Sequence, residues 1–399
     1  MKNLPVDEAR ARMLAAVEPG PPAAAPVTAG GVLAEPVLAV RDQPPFDASA
    51  MDGWAIRRAD AASGEARLRI VGESAAGRGY PHPLGAGEAV RIFTGAPVPA
   101  GADMVVIQEE ARRDGDAVVL GPVASGKTNI RGRGGDFRAG EVLIEAGARL
   151  DPWRIALAAA AGRAEALQRT RPRVMVLATG DELVSPGQAP APDQIFDSGS
   201  PALAALVERW GGEAFRMKPA GDTEEALIAA VDAAPAALIV TIGGASVGDH
   251  DLVKPALQRL GLSLDVASVA VRPGKPTWFG RLADGRRVLG LPGNPASAFV
   301  CAELFLRPVL ARMLGADPAL PLVPARLAAP AGPAGPREHW MRASLEVGPD
   351  GVLAAAPFTD QESSLVAVFA RADALVRRPA GTPAAEAGEV VEVLRLDRD

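Results

Sequence analysis

Residues 173–183 read RVMVLATGDEL, an apolar run that stops abruptly at Thr-Gly-Asp-Glu. An apolar run of this length, bounded by turn-forming residues, is typical of a strand buried on both faces. The pattern returns in AALIVTIGG at 236–244 and in RRVLGLPGN at 286–294. Segments with helical spacing lie between these runs, so apolar strands alternate with amphipathic helices. The alternation predicts an α/β domain with a mostly parallel sheet over residues 171–315.

The predicted helices carry their own start signals. In SPALAALVERWGGE, Ser200 stands where an N-cap is expected, before a proline at the first helical position. DTEEALIAAVDAA (222–234) and DLVKPALQRLG (251–261) have the same helical spacing. Upstream, DPWRIALAAAAGRAEALQ predicts a helix over 151–168, capped by its aspartate.

Short β runs separated by Gly, Pro and Asp turns flank the α/β domain. They predict a small inserted β domain over 42–140 and a C-terminal small β domain over 320–399. Residues 1–41 together with 141–170 form a discontinuous helical and linker domain. The expected fold class is therefore multidomain, α+β and α/β, with a central α/β domain between two small β modules.

Composition narrows the class of protein. The 399 residues are 48% hydrophobic and carry a formal net charge of −6 without a run of Lys or Arg, so nucleic acid is not an expected partner. The single cysteine, Cys301, excludes an internal disulfide and suits a reducing compartment. We find neither a signal-peptide core nor a membrane-length apolar run. We therefore expect a cytoplasmic protein with no membrane partner.

Polar clusters follow three of the predicted strands, and ligands of open α/β sheets collect at the carboxyl ends of strands. Glycine lets backbone N–H groups approach an anion, and a hydroxyl or a helix N-terminus adds further donors. Taken singly, each cluster could instead be a tight connection, and Asn294 an ordinary helix cap. The anion-binding candidates at these ends are Gly243, Gly244, Ser246, Pro292, Gly293 and Asn294.

Carboxylates stand close to these glycines: Glu182, Asp222, Asp249 and Asp251 lie at or after predicted strand ends. Phosphate beside carboxylate is costly unless a cation lies between them, and Mg²⁺ takes carboxylate and phosphate oxygens. We therefore expect Mg²⁺ as cofactor, with Glu182, Asp249 and Asp251 as its ligands. Two structural alternatives stay open, since Asp251 could cap the next helix and Asp222 could form a capping box with Glu225.

Two further pairs have competing interpretations. In VRPGKPTW, Arg272 and Lys275 flank a Pro-Gly turn that could aim both cations at one oxyanion, or could be a solvated hairpin. Asp52 and Thr94 lie in glycine-containing turns of the first β module, where a structural turn is the default explanation. Local chemistry leaves both questions open.

Six motifs in order together resemble one family. PFDASAMDGWA, RIFTGAPVPAGAD, ATGDELV, IGGASVGDHD, VRPGKPTWFG and LPGNPASAF are similar to the motifs of the molybdopterin molybdenumtransferases (MoeA), which are related to the C-terminal domain of gephyrin. The resemblance covers almost the whole chain. It implies insertion of molybdate into adenylylated molybdopterin, with Mg²⁺-dependent release of AMP.

The resemblance also implies an elongated, L-shaped subunit and a homodimer in which the first β module reaches toward the partner's α/β domain. Molybdopterin adenylyltransferase becomes a candidate partner. Two alternatives remain: the preceding adenylylation step, which would not need the flanking β modules, and a gephyrin-like binding scaffold that has lost the chemistry.

By motif match the resemblance assigns roles to individual residues. Asp52 and Thr94 become functional, and Glu182, Asp222 and Asp251 become the metal-binding and catalytic acids. Gly243, Gly244 and Ser246 would hold the pterin phosphate or the nucleotide. The residues expected around molybdate are Lys275, Pro276, Ser297 and Arg342.

Several positions depart from the family pattern. Ser268 and Arg272 stand where lysines are frequent, and DSG and GGD replace the elements DSN and GED. The tail reads QESSLVAVFARAD, whereas the family commonly shows Gln-Gly-Ser and then a pair of serines at the positions of Ala367 and Val368. If that pair holds molybdate, the site is weaker or rebuilt in this chain.

Overall fold

The computed structural model describes residues 3–62, 64–122, 127–217, 223–243 and 252–396. The chain divides into two compact units. We call residues 24–29 and 35–167 the β unit, and residues 1–23, 30–34 and 168–399 the α/β unit. Each unit is described by itself.

Helix α1 and strand β1 precede most of the β unit, which contains strands β2 to β11 and helix α2. Their bounds are α1 (Val6–Ala15), β1 (Pro22–Pro26), β2 (Val37–Leu38), β3 (Ala48–Ser49), β4 (Gly53–Ile56), β5 (Ala66–Ser74), β6 (Glu88–Ile92), β7 (Met104–Ile107), β8 (Ala111–Asp114), β9 (Ala117–Leu120), β10 (Ile130–Arg131), β11 (Val142–Ile144) and α2 (Pro152–Ala160). The main sheet runs in the order β7-β4-β6-β5-β9-β8. Its buried face packs Trp54, Ile56 and Leu68 against Val118 and Leu120.

Strand β12 lies across the boundary between the two units, and the α/β unit continues from there to α7. The bounds are β12 (Glu165–Arg169), β13 (Arg173–Ala178), β14 (Leu183–Val184), β15 (Ile195–Phe196), α3 (Gly199–Arg209), β16 (Glu213–Arg216), α4 (Glu224–Asp232), β17 (Leu238–Ile242), α5 (Val253–Arg259), β18 (Ser263–Val266), β19 (Val271–Arg272), β20 (Trp278–Arg281), β21 (Arg287–Leu291), α6 (Pro295–Cys301), a π-helical segment (Ala302–Leu306) and α7 (Arg307–Met313).

The main sheet of this unit has the order β16-β13-β17-β21-β20-β18, with β16, β13, β17 and β21 mutually parallel. Alternate residues of β13 enter different cores: Val174 and Val176 pack with α3 and α6, and Met175 and Leu177 with α4 and α5. Burial on both faces explains why the sequence shows continuous apolar runs instead of alternation.

The C-terminal part of the α/β unit is a closed β barrel. Its elements are β22 (Leu322–Leu327), β23 (Glu338–Val347), β24 (Leu353–Pro357), α8 (Val366–Arg371), β25 (Ala374–Arg378) and β26 (Val390–Arg395). The strands pair in the order β23-β24-β22-β26-β25, and β25 pairs back to β23. Strand β19 adds to β23 in parallel, with Arg272 opposite His339.

The predicted fold class is confirmed, and Asp151 caps α2 by accepting a hydrogen bond from the Arg154 N–H. The finer division into four domains stays a prediction. Of the helices in the described ranges, none combines the length and apolar character needed to cross a bilayer.

Two helix predictions are wrong. The helix expected over 151–168 ends at Ala160, because residues 165–169 pair as β12 with β1, and this pairing overrides their helical propensity. Ser200 is not the N-cap of α3. Ser198 is at the N-cap position, and the Asp197 carboxylate accepts hydrogen bonds from the first N–H groups of the helix, those of Gly199 and Ser200.

Candidate functional site

The carboxyl ends of β13, β17 and β21 lie side by side at one edge of the parallel sheet. Ala178 pairs with Ile242, and Ile242 pairs with Leu291, so the three strands end in register. The Thr179 N–H donates to the Ile242 carbonyl at 3.0 Å, and the Gly243 N–H donates to the Leu291 carbonyl at 3.2 Å. The described residues at the start of the three predicted polar clusters, Thr179, Gly243 and Pro292, therefore lie at one edge.

Gly243 shows why glycine is needed at this edge. Its φ is +91°, a conformation that residues with a side chain rarely adopt. A Cβ atom at this position would lie 2.8 Å from the Thr179 carbonyl oxygen. The neighbouring strand ends can approach closely only because no side chain separates them.

A cleft of about 1050 Å³ opens at this edge, within the α/β unit. That volume is at the upper end of the range for small-molecule and cofactor sites. Many of the residues singled out in the sequence line it, namely Glu182, Gly243, Arg272, Lys275, Pro276, Pro292, Gly293, Asn294 and Ser297. Five other candidates, Asp222, Gly244, Ser246, Asp249 and Asp251, lie outside the described residues.

The Pro-Gly turn after β19 presents Arg272 and Lys275 to the cleft, and both side chains are exposed. Gly274 makes the turn possible, since its φ is +119° and a Cβ would lie 2.1 Å from the Cys301 sulfur. Below the turn, the Thr277 hydroxyl donates to the Gly274 carbonyl at 2.8 Å. The two cations thus project from a turn that is packed tightly on its inner side.

Cys301 belongs to this packed layer and not to the chemistry of the cleft. Its thiol is fully buried in α6, and burial raises the pKa of Cys301 to about 12. A thiol of that pKa stays protonated and is a poor nucleophile. This agrees with its apolar sequence context.

A third cation, Arg337, was missed by the sequence analysis. It lines the cleft just before β23, on the side where β23 pairs with β19. In the described ranges, Arg272, Lys275 and Arg337 form no ion pair with a carboxylate. The pairing of β19 with β23 joins segments that are distant in the chain, so no local pattern could have revealed it.

The pKa of His339 reflects its burial and the positive charge of the arginines around it. Burial and the charges of Arg272, Arg342, Arg337 and Arg378 lower the pKa of His339 to about 4. The imidazole is therefore neutral at pH 7. A neutral histidine surrounded by arginines marks a place where an anion would be favourable.

Arg342 was expected to contact molybdate, but it lies behind the wall of the cleft. Its side chain is fully buried. Nη1 donates to the Glu362 carbonyl at 2.9 Å, and Nε donates to Gln361 Oε1 at 3.2 Å. Burial lowers the pKa of Arg342, against the opposing charges of Asp360 and Glu362. In this structure Arg342 positions the segment 361–362, which does line the cleft.

The segment 361–364 contributes hydroxyl groups that the sequence analysis also missed. Asn294 does not cap α6 with its side chain; its Nδ2 donates to the Ser363 hydroxyl at 2.8 Å. The Ala296 N–H donates to the Ser363 carbonyl at 3.1 Å. Ser363 and Ser364 both line the cleft, whereas Ala367 and Val368, the positions that depart from the family pattern, do not.

Glu182 is the one proposed metal ligand within the described residues. It is exposed at the cleft, beside Gly180. A single exposed carboxylate supplies the hard oxygen donor that Mg²⁺ accepts alongside phosphate oxygens. Within the ranges that the structure describes, no group of three or more His, Cys, Asp or Glu could hold a metal ion. The magnesium site therefore stays a prediction.

Asp52 and Thr94 belong to the β unit and are hydrogen-bonded to each other. Asp52 Oδ1 accepts from the Thr94 N–H at 2.7 Å and from the Thr94 hydroxyl at 2.8 Å. These two bonds lower the pKa of Asp52, and the bond from the Thr94 N–H has the larger effect. The two residues that the resemblance singled out thus form a hydrogen-bonded pair in which the Asp52 carboxylate is ionised.

Comparison with known proteins accounts for nearly the whole chain. The MoeA N-terminal region (domain I and II) matches residues 4–162, a probable molybdopterin binding domain matches 175–312, and the MoeA C-terminal region (domain IV) matches 324–396.

Individual relatives agree. A molybdopterin molybdenumtransferase from Staphylococcus aureus is 33% identical over 375 residues, covering 92% of this chain and 89% of its own length. One from Nostoc sp. is 37% identical over 294 residues, covering 72% of this chain and 67% of its own. The crystal structure of a molybdopterin biosynthesis MoeA protein from Pyrococcus horikoshii superimposes with a TM-score of 0.85 at 30% identity, covering 99% of both chains. With all three regions matched in order, the chain belongs to the MoeA family of molybdopterin molybdenumtransferases.

Proposed function

We propose that the protein inserts molybdenum into molybdopterin, using molybdate and the adenylylated pterin as substrates and releasing AMP. The observation that carries the proposal is the set of cleft cations, Arg272, Lys275 and Arg337, which have no carboxylate partner in the described ranges. Cations that line a concave site without forming ion pairs favour an anionic ligand. Molybdate and a pterin diphosphate are both anions.

The wall also offers neutral donors. The Ser363 hydroxyl and the buried Ser297 lie on the same cleft as the cations. A tetrahedral dianion is best held by fixed cations and hydroxyls together, since such preorganised groups need no rearrangement when the anion binds. We assign the oxyanion to this side of the cleft and the phosphates to the glycine turn at Gly243.

Mg²⁺ is the proposed cofactor, and Glu182 is the described residue that would hold it. When bound, the ion would neutralise negative charge on the phosphates, which favours cleavage of the phosphoanhydride by water into AMP and the pterin phosphate. Asp249 and Asp251 are proposed as further ligands, and Asp222 as a catalytic acid, from the sequence pattern alone.

We also propose a cytoplasmic homodimer in which the Asp52–Thr94 pair completes the partner's site. The support is chemical: a half-buried, ionised aspartate held by two hydrogen bonds is a fixed polar group of the kind found in binding sites. Molybdopterin adenylyltransferase, which would supply the substrate, is a candidate transient partner.

The scaffold alternative rested on the missing serine pair. Because Ala367 and Val368 do not line the cleft, and Ser363 does, the departure removes no hydroxyl from the described wall. The adenylylation alternative needs no flanking β modules, yet both flanks match MoeA regions. Molybdenum insertion is therefore the function the geometry supports best.

The test is AMP release from adenylylated molybdopterin with Mg²⁺, measured with and without molybdate. Release that depends on both ions is expected. Tight nucleotide binding without molybdate-dependent release would favour the scaffold instead.

A further inference from the structure

Glu362 places a carboxylate on the wall of the cleft, among the neutral donors. Its Oε2 accepts from the Ser364 N–H at 2.8 Å and from the Ser364 hydroxyl, and its Oε1 accepts from the Ser363 hydroxyl at 3.2 Å. The Ser364 hydroxyl and N–H are the main reasons that the pKa of Glu362 is lowered. The group is therefore an anion at neutral pH.

The carboxylate is held in place from several directions. Arg342 donates to the Glu362 carbonyl at 2.9 Å, and the Glu362 N–H donates to Asp360 Oδ1 at 3.0 Å. Asn294 holds the neighbouring Ser363. The segment is thus fixed at both its backbone and its side chains.

Glu362 has no structural ion pair to explain it. In the part of the chain that the structure describes, its side chain bonds only to hydroxyl and N–H donors, and none of the cleft cations pairs with it. The side chain is exposed at the cleft, where a free glutamate would be solvated by water. Here the carboxylate instead occupies donors that an oxyanion substrate would use.

We propose that Glu362 is a built-in competitor for the oxyanion: its carboxylate holds the Ser363 and Ser364 donors until a tetrahedral dianion displaces it. The inference rests on the proposed function, in which this wall binds molybdate. Glycine, which the family commonly carries at this position, has no such group. The consequence is a weakened oxyanion site, because each binding event must break these hydrogen bonds and approach a negative charge.

The first test is calorimetric titration of the full-length protein with sodium molybdate, without pterin. Glu362→Gln removes the charge and keeps the size, and it should lower the Kd for molybdate about fivefold at low ionic strength. Glu346→Gln is the matched control, since Glu346 is an exposed glutamate on β23 that does not line the cleft. An unchanged or higher Kd in Glu362→Gln would overturn the proposal.

The second test asks whether the carboxylate and the hydroxyl compete. Ser364→Ala in the otherwise native chain should change the Kd less than twofold, because the hydroxyl is already occupied. In the Glu362→Ala background the hydroxyl is free to bind substrate, so the same change should raise the Kd about fivefold. Equal effects in both backgrounds would contradict competition.

The AMP-release assay separates this inference from the proposed function. If AMP release depends on molybdate and the KM for molybdate is the same in native protein and Glu362→Gln, the carboxylate does not compete with molybdate, and the proposed function still stands. Absence of molybdate-dependent release from both proteins would overturn the function itself, and the competitor with it. Thermal melting of each variant shows whether it is folded.

Discussion

Arg377 and the two cleft arginines, Arg272 and Arg337, all belong to the α/β unit but differ in whether a carboxylate lies beside them. Arg377 on β25 lies within 3.0 Å of Asp7 and 3.2 Å of both Glu338 and Glu392. Burial alone would lower the pKa of Arg377, but Glu338 and Asp7 raise it. Across β23, Arg272 and Arg337 stand at the cleft without such partners. The comparison indicates that Arg377 stabilises the fold through its carboxylate partners, whereas Arg272 and Arg337, which form no ion pair in the described ranges, are the arginines that we propose bind an anionic ligand.

The largest expected effect tests the unpaired group. Lys275→Ala should lower kcat/KM for molybdate-dependent AMP release by about 10²–10³-fold, because one preorganised charge is lost from the oxyanion site. The thermal midpoint should not change, since the side chain is exposed and makes no ion pair in the described ranges. A large loss of stability with little loss of activity would show that Lys275 stabilises the fold and does not bind the anion.

The turn that aims two of these cations can be disturbed without removing charge. Gly274→Ala should destabilise the protein by about 3 kcal/mol, because the new Cβ meets the Cys301 sulfur in a strained backbone conformation. Gly285→Ala is the control, with φ +93° and open space around it, and should cost about 1 kcal/mol. Denaturant unfolding measures both; equal costs would mean that the packing under the turn is looser than described.

Substitution of Arg377 should have the opposite effect to substitution of Lys275: it should lower stability and leave molybdate binding unchanged. Arg377→Ala should lower the free energy of unfolding by about 2–3 kcal/mol, because it leaves Glu338 nearly buried without its cation. The KM for molybdate should stay within twofold of the native value. A raised KM with unchanged stability would show that Arg377 also contributes to ligand binding.

The smallest effect is a pH dependence. The pKa of His339 is about 4 in the folded state and about 6.5 when unfolded, so between these values the unfolded chain binds more protons. Stability should therefore fall as pH drops from about 6.5 to 4, by about 1–2 kcal/mol after allowing for solvent screening. His339→Gln should flatten this slope in urea unfolding series. An anion bound between the arginines should also flatten it, since it raises the pKa of His339.

Much of the fold was readable from the sequence because the decisive signals are local. Continuous apolar runs such as 173–178 predicted strands buried on both faces, and Arg272 and Lys275 were found through their Pro-Gly turn. Reliance on local signals also explains the wrong prediction for residues 165–169. Their helical propensity is a local property, whereas their pairing with β1 depends on a distant part of the chain.

The candidate site was less predictable where it depends on long-range pairing. Arg337 and Ser363 reach the cleft only because β23 pairs with β19 and because Ser363 bonds to Asn294 and Ala296. Arg342 was predicted to contact molybdate because of its place in a family motif. Its burial behind the wall of the cleft depends on the surrounding barrel, which the motif does not describe. Local composition cannot distinguish a buried positioning residue from one exposed to a ligand.

The pairing around β19 also has a consequence for how the site is made during synthesis. The Ala270 N–H donates to the Leu4 carbonyl at 2.7 Å, and the Glu338 N–H donates to the Ala270 carbonyl at 2.9 Å. Three distant parts of the chain therefore meet at the segment that leads into Arg272. Because domains form as they emerge from the ribosome, the parallel sheet can fold early, but Arg337 and Ser363 cannot reach the cleft until the barrel has been translated. A stalled nascent chain ending before β22 would contain the turn at Gly243, Arg272 and Lys275 but would lack Arg337 and Ser363.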